Sequence, residues 1–256
     1  MTKRHEGKTA VISGAASGIG QASAVRLAEE GARIVIADRD NAEETLALIE
    51  DVGGQAIAVR CDVSDPESVT ALKEEAEKKG GLCEILVNNA GIYPVQTFDE
   101  ITFDDWRRVL SVNLDSMFLM TKAFADGMRQ KGWGRIVNIA SDTVSLTVPD
   151  FVHYITSKAG VIGFTRSLAT EFGQHGVTVN AIAPGLTRTP GTAVRREIPG
   201  TMTTAQLFDL MADMQSIKRN EQTSDLVGAV SFLASDDAGF ITGQTLYVNG
   251  GLTRTT

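Results

Sequence analysis

Short apolar runs alternate along the chain with longer segments of helical periodicity, and this alternation constrains the fold more than any other feature. Residues 9–13, 34–38, 56–61, 84–88, 135–140, 177–182 and 244–248 have strand length and little polar alternation. Such runs suit parallel strands buried on both faces. Between them, residues 20–31 place Ala24, Leu27 and Ala28 at helical spacing, and residues 43–52 end at Gly53-Gly54. A helix starts at Ser64-Asp65-Pro66-Glu67, with proline in the first turn and a capping box expected from Ser64 to Glu67. Residues 103–131, read as one or two helices, and residues 153–173 and 224–234 complete the pattern. The expected fold is α/β, a doubly wound parallel sheet with helices on both faces. At 256 residues the chain is read as one domain, 1–256.

The segment 184–218 breaks the rhythm, with no strand expected in it. It holds Pro184, Pro190 and Pro199, Gly185, Gly191 and Gly200, and the apolar set Met202, Leu207, Phe208, Met211 and Met214. A lid or substrate loop at about 186–218 is the natural reading. The same apolar spacing equally suits a subunit interface.

Composition narrows the function. Lys plus Arg is 24 and Asp plus Glu is 32, a net charge of −8, which disfavours nucleic-acid binding. No apolar run has the length of a membrane span, and the apolar segment nearest the N-terminus is too short for a signal-peptide core. A cytoplasmic protein is expected, with no membrane partner. Cys61 and Cys83 do not make a disulfide framework, and with His5, His153 and His175 they form no metal-ligand cluster, so no metal is expected.

Ligands bind such sheets beyond the carboxyl ends of the strands, so the turns there carry the chemistry. The first turn reads Ser13-Gly14-Ala15-Ala16-Ser17-Gly18-Ile19-Gly20. Its glycines permit close backbone approach to a pyrophosphate, and the next helix offers its free amides. Asp38 ends the second run, 20 residues after Gly18, where a carboxylate binds adenosine ribose hydroxyls. It repels a 2′-phosphate by ~4 kcal/mol at ~4 Å and an effective dielectric of ~20, less with Arg39 alongside. NAD is therefore expected over NADP. Asp62, before Val63, either contacts the adenine edge or caps a helix. Asn88-Asn89-Ala90-Gly91 lets backbone approach the cofactor.

Tyr154 and Lys158 stand at i and i+4 on a predicted helix, hence on one face. A neighbouring ammonium favours the phenolate, so Lys158 is expected to lower the Tyr154 pKa and make it a general acid/base for an alcohol proton. Ser141 follows the fifth run, where its hydroxyl can hold the substrate oxygen. Asn113 lies in the preceding helical region.

Together these residues resemble the short-chain dehydrogenase/reductase family from about Gly7 to Leu252, through Gly14, Gly18, Gly20, Asp38, Asp62, the 88–91 turn, Asn113, Ser141, Tyr154, Lys158, Pro184-Gly185, Gly243-Gln244-Thr245 and Gly250-Gly251. The resemblance implies a Rossmann-like seven-stranded sheet, usually a homotetramer, and an Asn113-Ser141-Tyr154-Lys158 site. It implies that Ser141 polarises the substrate oxygen and that Asn113 holds a relay water. It also implies that Lys158 binds the nicotinamide ribose. Cofactor contacts are expected from Gly14, Ser17, Gly18, Ile19, Gly20, Asp38, Asp62, Val63, Asn89, Ala90, Gly91, Tyr154, Lys158, Pro184, Gly185, Thr187 and Thr189. Substrate-pocket candidates are Tyr93, Thr143, Phe151 and Leu186, with the apolar lid residues. Segments around residues 88–94, 132–136, 153–155, 163–166 and 234–246 resemble NAD-dependent members acting on secondary alcohols, including aryl-alkyl ones.

The chain departs from the family pattern at Ser13 (usually threonine), Asn249 (often aspartate) and Asp142, whose charge either tunes Tyr154 or faces solvent. The expected activity is hydride transfer between NAD and a small secondary alcohol or ketone. A 3-oxoacyl thioester reductase shares the motifs, and would dock a carrier protein through basic residues such as Arg129, Lys131, Arg195 and Arg196. A dinucleotide sensor without catalysis is the remaining alternative, and retention of Tyr154 and Lys158 weighs against it.

Overall fold

Side chains alternate across each strand, and the register sorts them into two core layers. In the computed structural model, which describes residues 3–193 and 202–254, Val11 pairs with Val35 and Leu86, Leu86 with Ile136, and Ile136 with Val179. This row packs on one face of the sheet. One residue along, Ile12 pairs with Ile36 and Val87, and Val87 with Val137, and that row packs on the other. Arg195, Arg196, Pro199 and Gly200 lie outside the described residues.

The strands are β1 (Thr9–Ser13), β2 (Arg33–Asp38), β3 (Gln55–Arg60), β4 (Ile85–Asn88), β5 (Gly134–Ile139), β6 (Val177–Pro184), two short strands β7 (Thr187–Arg188) and β8 (Glu221–Gln222), and β9 (Thr245–Val248). Seven form one parallel sheet in the order β3-β2-β1-β4-β5-β6-β9. The order reverses direction between β1 and β4, which opens a crevice above their carboxyl ends. The helices are α1 (Gly18–Glu29), α2 (Glu43–Asp51), α3 (Pro66–Lys79), α4 (Phe103–Leu110), α5 (Ser116–Lys131), α6 (Thr143–Leu146), α7 (Val152–Phe172), α8 (Pro190–Ala193), α9 (Thr204–Met214) and α10 (Thr223–Leu233). Leu27 of α1, Ile49 of α2 and Leu226, Val230 and Leu233 of α10 cover the Ile12 face. Leu72 of α3, Met120, Phe124 and Met128 of α5 and Phe172 of α7 cover the Val11 face. No helix among the described residues is long and apolar enough to cross a membrane.

Two local expectations change, and one is refined. The α3 cap is Asp65, whose carboxylate accepts the Glu67 N–H at 3.1 Å, while the Ser64 hydroxyl donates to Asp62 at 2.6 Å. Pro66 holds the residue before it extended, which is the N-cap conformation, so the cap falls one residue later than the Ser64 box. The stretch 103–131 contains a π turn at Ser111–Asp115 between α4 and α5. The segment 184–218 does hold a strand: β7 pairs with β8, Thr187 opposite Glu221.

That small pair fixes the chain leaving β6. Buried Glu221 accepts the Thr187 hydroxyl at 2.5 Å and the Gly185 N–H at 3.3 Å. Burial, aided by the charge of Asp142, pushes its carboxyl up to about 7, against hydrogen bonds that pull it down. The glycine turn is equally tight. Gly14 and Gly18 have φ of +66° and +63°. A Cβ on Gly20 would stand 2.2 Å from the Gly14 carbonyl oxygen and 2.5 Å from Asn89 Nδ2.

Two stability predictions result. Gly20→Ala forces backbone apart and should cost ~1–3 kcal/mol in denaturant unfolding; an unchanged midpoint would show that the turn relaxes freely. The raised Glu221 pKa makes the native state hold a proton that the unfolded chain, with its value of 4.5, has lost, so this group's contribution to stability declines from about pH 4.5 to 7. The Tm of Glu221→Gln relative to wild type should accordingly rise across that window and level off above it. A constant difference from pH 4 to 8 would contradict this.

Candidate active site

Every strand of the parallel sheet delivers its turn to one edge, and a cavity of about 710 Å³ runs along it. Gly14, Ser17, Gly18, Ile19, Asp38, Asp62, Val63, Asn89, Ala90 and Gly91 line it on the β1–β4 side, and Pro184, Gly185, Thr187 and Thr189 on the β6 side. Gly20 lies behind this wall, in contact with Gly14 and Asn89. The wall is held by hydrogen bonds between turns. Ser13 Oγ accepts the N–H groups of Asn89 and Ala90 at 3.0 and 3.1 Å, and Asn89 Nδ2 donates to the carbonyls of Ser13 and Gly14 at 3.0 and 2.9 Å. The hydroxyl that Ser13 shares with threonine does this work.

Asp38 braces the same turn. One carboxylate oxygen accepts the Ala16 N–H at 2.8 Å and the other the Asp40 N–H at 3.0 Å. A second cavity of about 370 Å³, lined in part by Arg39, Asp40 and Arg60, adjoins it. The Asp62 carboxylate accepts both the backbone N–H and the hydroxyl of Ser64, and these bonds hold its pKa below the ordinary value. The cradle fits a dinucleotide: positive-φ glycines where side chains are excluded, and a cavity that reaches from Asp38 to Tyr154.

Ser141, Tyr154 and Lys158 meet at the other end of the cavity. Ser141 Oγ accepts both the backbone N–H and the hydroxyl of Thr143, at 3.2 and 2.9 Å. Both lone pairs are thus filled, which leaves the serine proton to donate. Its partner is the Tyr154 phenol, and this bond lowers the tyrosine pKa. Burial wins nonetheless and, with the Asp142 and Tyr93 environments, pushes the phenol up to about 12. The expected depression by Lys158 is therefore corrected for the protein alone. Lys158 Nζ donates to the Ile139 carbonyl at 2.7 Å and stands 5.8 Å from the Tyr154 ring centroid, and burial pulls its own pKa down to about 8. The helical spacing puts the two side chains on one face but does not set their separation.

Asn113 lies behind this group. It is fully buried in the π turn, and its side chain does not line the cavity. Its Oδ1 accepts the Ile92 N–H at 2.8 Å, and its Nδ2 donates to the Ile92 carbonyl at 2.9 Å and to Ser157 Oγ at 3.0 Å. Both amide protons are committed, so the side chain pins the β4 turn to α7. Asp142 is buried rather than solvated; burial raises its carboxyl to about 6 against a hydrogen bond from Asn249, and its Oδ2 has no hydrogen-bond partner among the described residues.

Tyr93, Thr143, Phe151 and Leu186 all line the cavity. The Tyr93 and Phe151 rings meet Tyr154 edge-on, at centroid distances of 6.3 and 5.9 Å. Met202, Leu207, Leu210 and Met211 line it too, so this side of the segment faces the cavity. Phe208 does not: it is buried beneath the Arg188 guanidinium, 4.4 Å from its ring centroid. Met214 lies off the cavity and is half-exposed. Sequence reasoning missed Val148 and Pro149, which add a wall between Thr147 and Asp150, both at positive φ. It also missed Glu221, which lies 34 residues from the threonine it holds.

Comparison with known proteins agrees with this geometry. A family profile described as enoyl-(acyl carrier protein) reductase matches residues 14–253. The chain is 37% identical to a 3-oxoacyl-(acyl-carrier-protein) reductase of Haemophilus influenzae, over 96% of this chain and 98% of that one. It is 37% identical to 3beta-hydroxysteroid dehydrogenase 1 of Eggerthella lenta, over 97% and 94%. A solved Agrobacterium tumefaciens structure with bound NADP superposes with a TM-score of 0.87 at 37% identity, covering 98% of each chain. With a family profile spanning nearly its whole length and relatives of this identity, the chain belongs to the short-chain dehydrogenase/reductase family, as an oxidoreductase that uses a nicotinamide cofactor on CH–OH or keto groups.

Proposed function

We propose that the protein transfers hydride between NAD(H) and a small, largely apolar secondary alcohol or ketone, with Ser141, Tyr154 and Lys158 as its catalytic residues. The observation that carries this reading is the convergence of these three side chains at the apolar end of a cavity whose other end is a glycine cradle. The nicotinamide, when bound, supplies the carbon that gives or takes the hydride. When substrate binds, the Ser141 proton turns from the Tyr154 phenol to the substrate oxygen and holds it. Tyr154, protonated at neutral pH, delivers its proton to a ketone oxygen in reduction and takes it back in oxidation. Lys158 holds the ribose and contributes positive charge beside the phenol. Asn113 acts on the site through Ile92 and Ser157. Leu186, Leu207 and Met211, with the rings of Tyr93 and Phe151, favour an aryl-alkyl substrate.

Asp38 supports NAD over NADP, since its carboxylate at the adenosine end disfavours a 2′-phosphate. A homotetramer belongs to the same reading and is supported by exposed Phe118, Phe240 and Leu246. A 3-oxoacyl thioester reductase is the second reading, favoured by the Haemophilus relative.

The deciding assay compares NADH formation from NAD and each 1-phenylethanol enantiomer with NADPH oxidation by acetoacetyl-coenzyme A. Turnover of one enantiomer is expected; fast thioester reduction alone would replace this reading with the second. Tyr154→Phe should lower kcat by ~10²–10⁴ with the fold intact by circular dichroism. A wild-type rate would remove tyrosine from the mechanism. Asp38→Ala should narrow the NAD to NADP ratio of kcat/KM, and an unchanged ratio would remove Asp38 from cofactor choice.

A further inference from the structure

The Tyr154 backbone is held at both polar atoms. Its carbonyl accepts the Ser157 hydroxyl at 2.6 Å. Its N–H lies in the first turn of α7, where amides lack intrahelical acceptors, and the side chain of the N-cap residue, Phe151, supplies none. The N–H donates instead to Nδ1 of His153, at 2.9 Å. His153 is fully buried, and neither the cofactor cradle nor the proton-transfer residues account for it.

We propose that His153 is a positioning residue for Tyr154, locked in one tautomer by a hydrogen-bond chain that runs from the Tyr154 amide through Gln96 to Asp105 on α4. The inference rests on the reading of Tyr154 as the proton donor. An N–H donates only to an unprotonated ring nitrogen, so Nδ1 is bare and the ring proton is on Nε2. Nε2 lies 3.1 Å from Gln96 Oε1, which accepts it. That assignment turns the Gln96 amide nitrogen outward as a donor, and its partner is the Asp105 carboxylate. Every link then runs in one direction. Gln96 also donates its backbone N–H to the carbonyl of Asp150, at 3.0 Å, next to the Phe151 whose ring edge meets Tyr154. One side chain and its backbone therefore tie the cavity rim and the proton donor together.

Protonation of His153 would turn Nδ1 into a donor facing a donor and break the chain at Tyr154. Burial keeps the ring neutral. Asp105 and Arg108 of α4 act on it in opposite directions, Asp105 favouring the imidazolium and Arg108 opposing it, and Tyr154 adjoins it on α7.

Nitrogen-15 spectra of the imidazoles in the labelled full-length protein at pH 7.5 should show His153 as the Nε2–H tautomer; an Nδ1–H tautomer overturns the proposal. Gln96→Glu replaces a neutral acceptor by an anion, which favours the imidazolium. The acidic limb of kcat should therefore move up by ~1 pH unit, with NADH affinity unchanged. The assay uses NADH with acetophenone or acetoacetyl-coenzyme A, whichever turns over, and an unmoved limb overturns the proposal. His153→Leu should lower kcat ~10-fold or more with little change in KM, and His153→Asn, which keeps an acceptor, should restore most of it. Equal rates for the two overturn the proposal. If His153→Leu does not fold, the tautomer and the Gln96→Glu profile still decide. Failure of the underlying reading looks different: it is a Tyr154→Phe enzyme that remains active.

Discussion

The close approach of the turns after β1 and β4 is the constraint on which the rest of the site depends. Two neighbouring parallel strands diverge into loops that have to share one floor. Asn89 donates to the carbonyls of Ser13 and Gly14, and the missing side chains of Gly14 and Gly20 leave room for this contact. From that floor the next turn places Gly91 beneath both Asn113 and Lys158, where a Cβ would meet Asn113 Oδ1 at 3.3 Å and Lys158 Nζ at 3.6 Å. Asn113 then clamps Ile92 and reaches Ser157, which holds the Tyr154 carbonyl. A continuous run of short contacts thus connects the glycine turn to the Tyr154 main chain.

Burial dominates the electrostatics at the reacting end. It drives each ionisable group toward its neutral form: Lys158 down, and Tyr154, Asp142 and Glu221 up. Hydrogen bonds oppose this at Tyr154, Asp142 and Glu221 without overcoming it. A charge brought into so buried a place acts more strongly than it would in water. In the protein alone the Tyr154 phenol is therefore protonated at neutral pH.

Much of this was legible in the sequence, and the limits have physical causes. Parallel strands buried on both faces announce themselves as unbroken apolar runs, and the glycine turn, Asp38, Ser141, Tyr154 and Lys158 sit at fixed offsets from strand ends. Their contacts were not legible. Helical spacing put Lys158 on the face of Tyr154, but its nearest partner is the Ile139 carbonyl, on a strand, and no spacing within a helix encodes that. Glu221 and Gln96 act on residues 34 and 57 positions away, and such pairings have no local signature. In α9, Leu207 and Phe208 are adjacent and equally apolar, yet one faces the cavity and the other lies under Arg188. Which side of that short helix turns inward depends on packing that composition does not reveal.

The cavity is built from two kinds of material. At the glycine turn Gly14 and Gly18 line it without side chains, and main-chain positions survive most changes of side chain. The other end is lined by larger apolar residues: Leu186, Leu207, Leu210 and Met211 on one side of it, Val148 and Pro149 on another. Drift in sequence therefore acts unequally on the two. A lineage can exchange the apolar lining many times while the glycine turn keeps its shape. Relatives equally distant from this chain can then carry the names of a thioester reductase and of a steroid dehydrogenase.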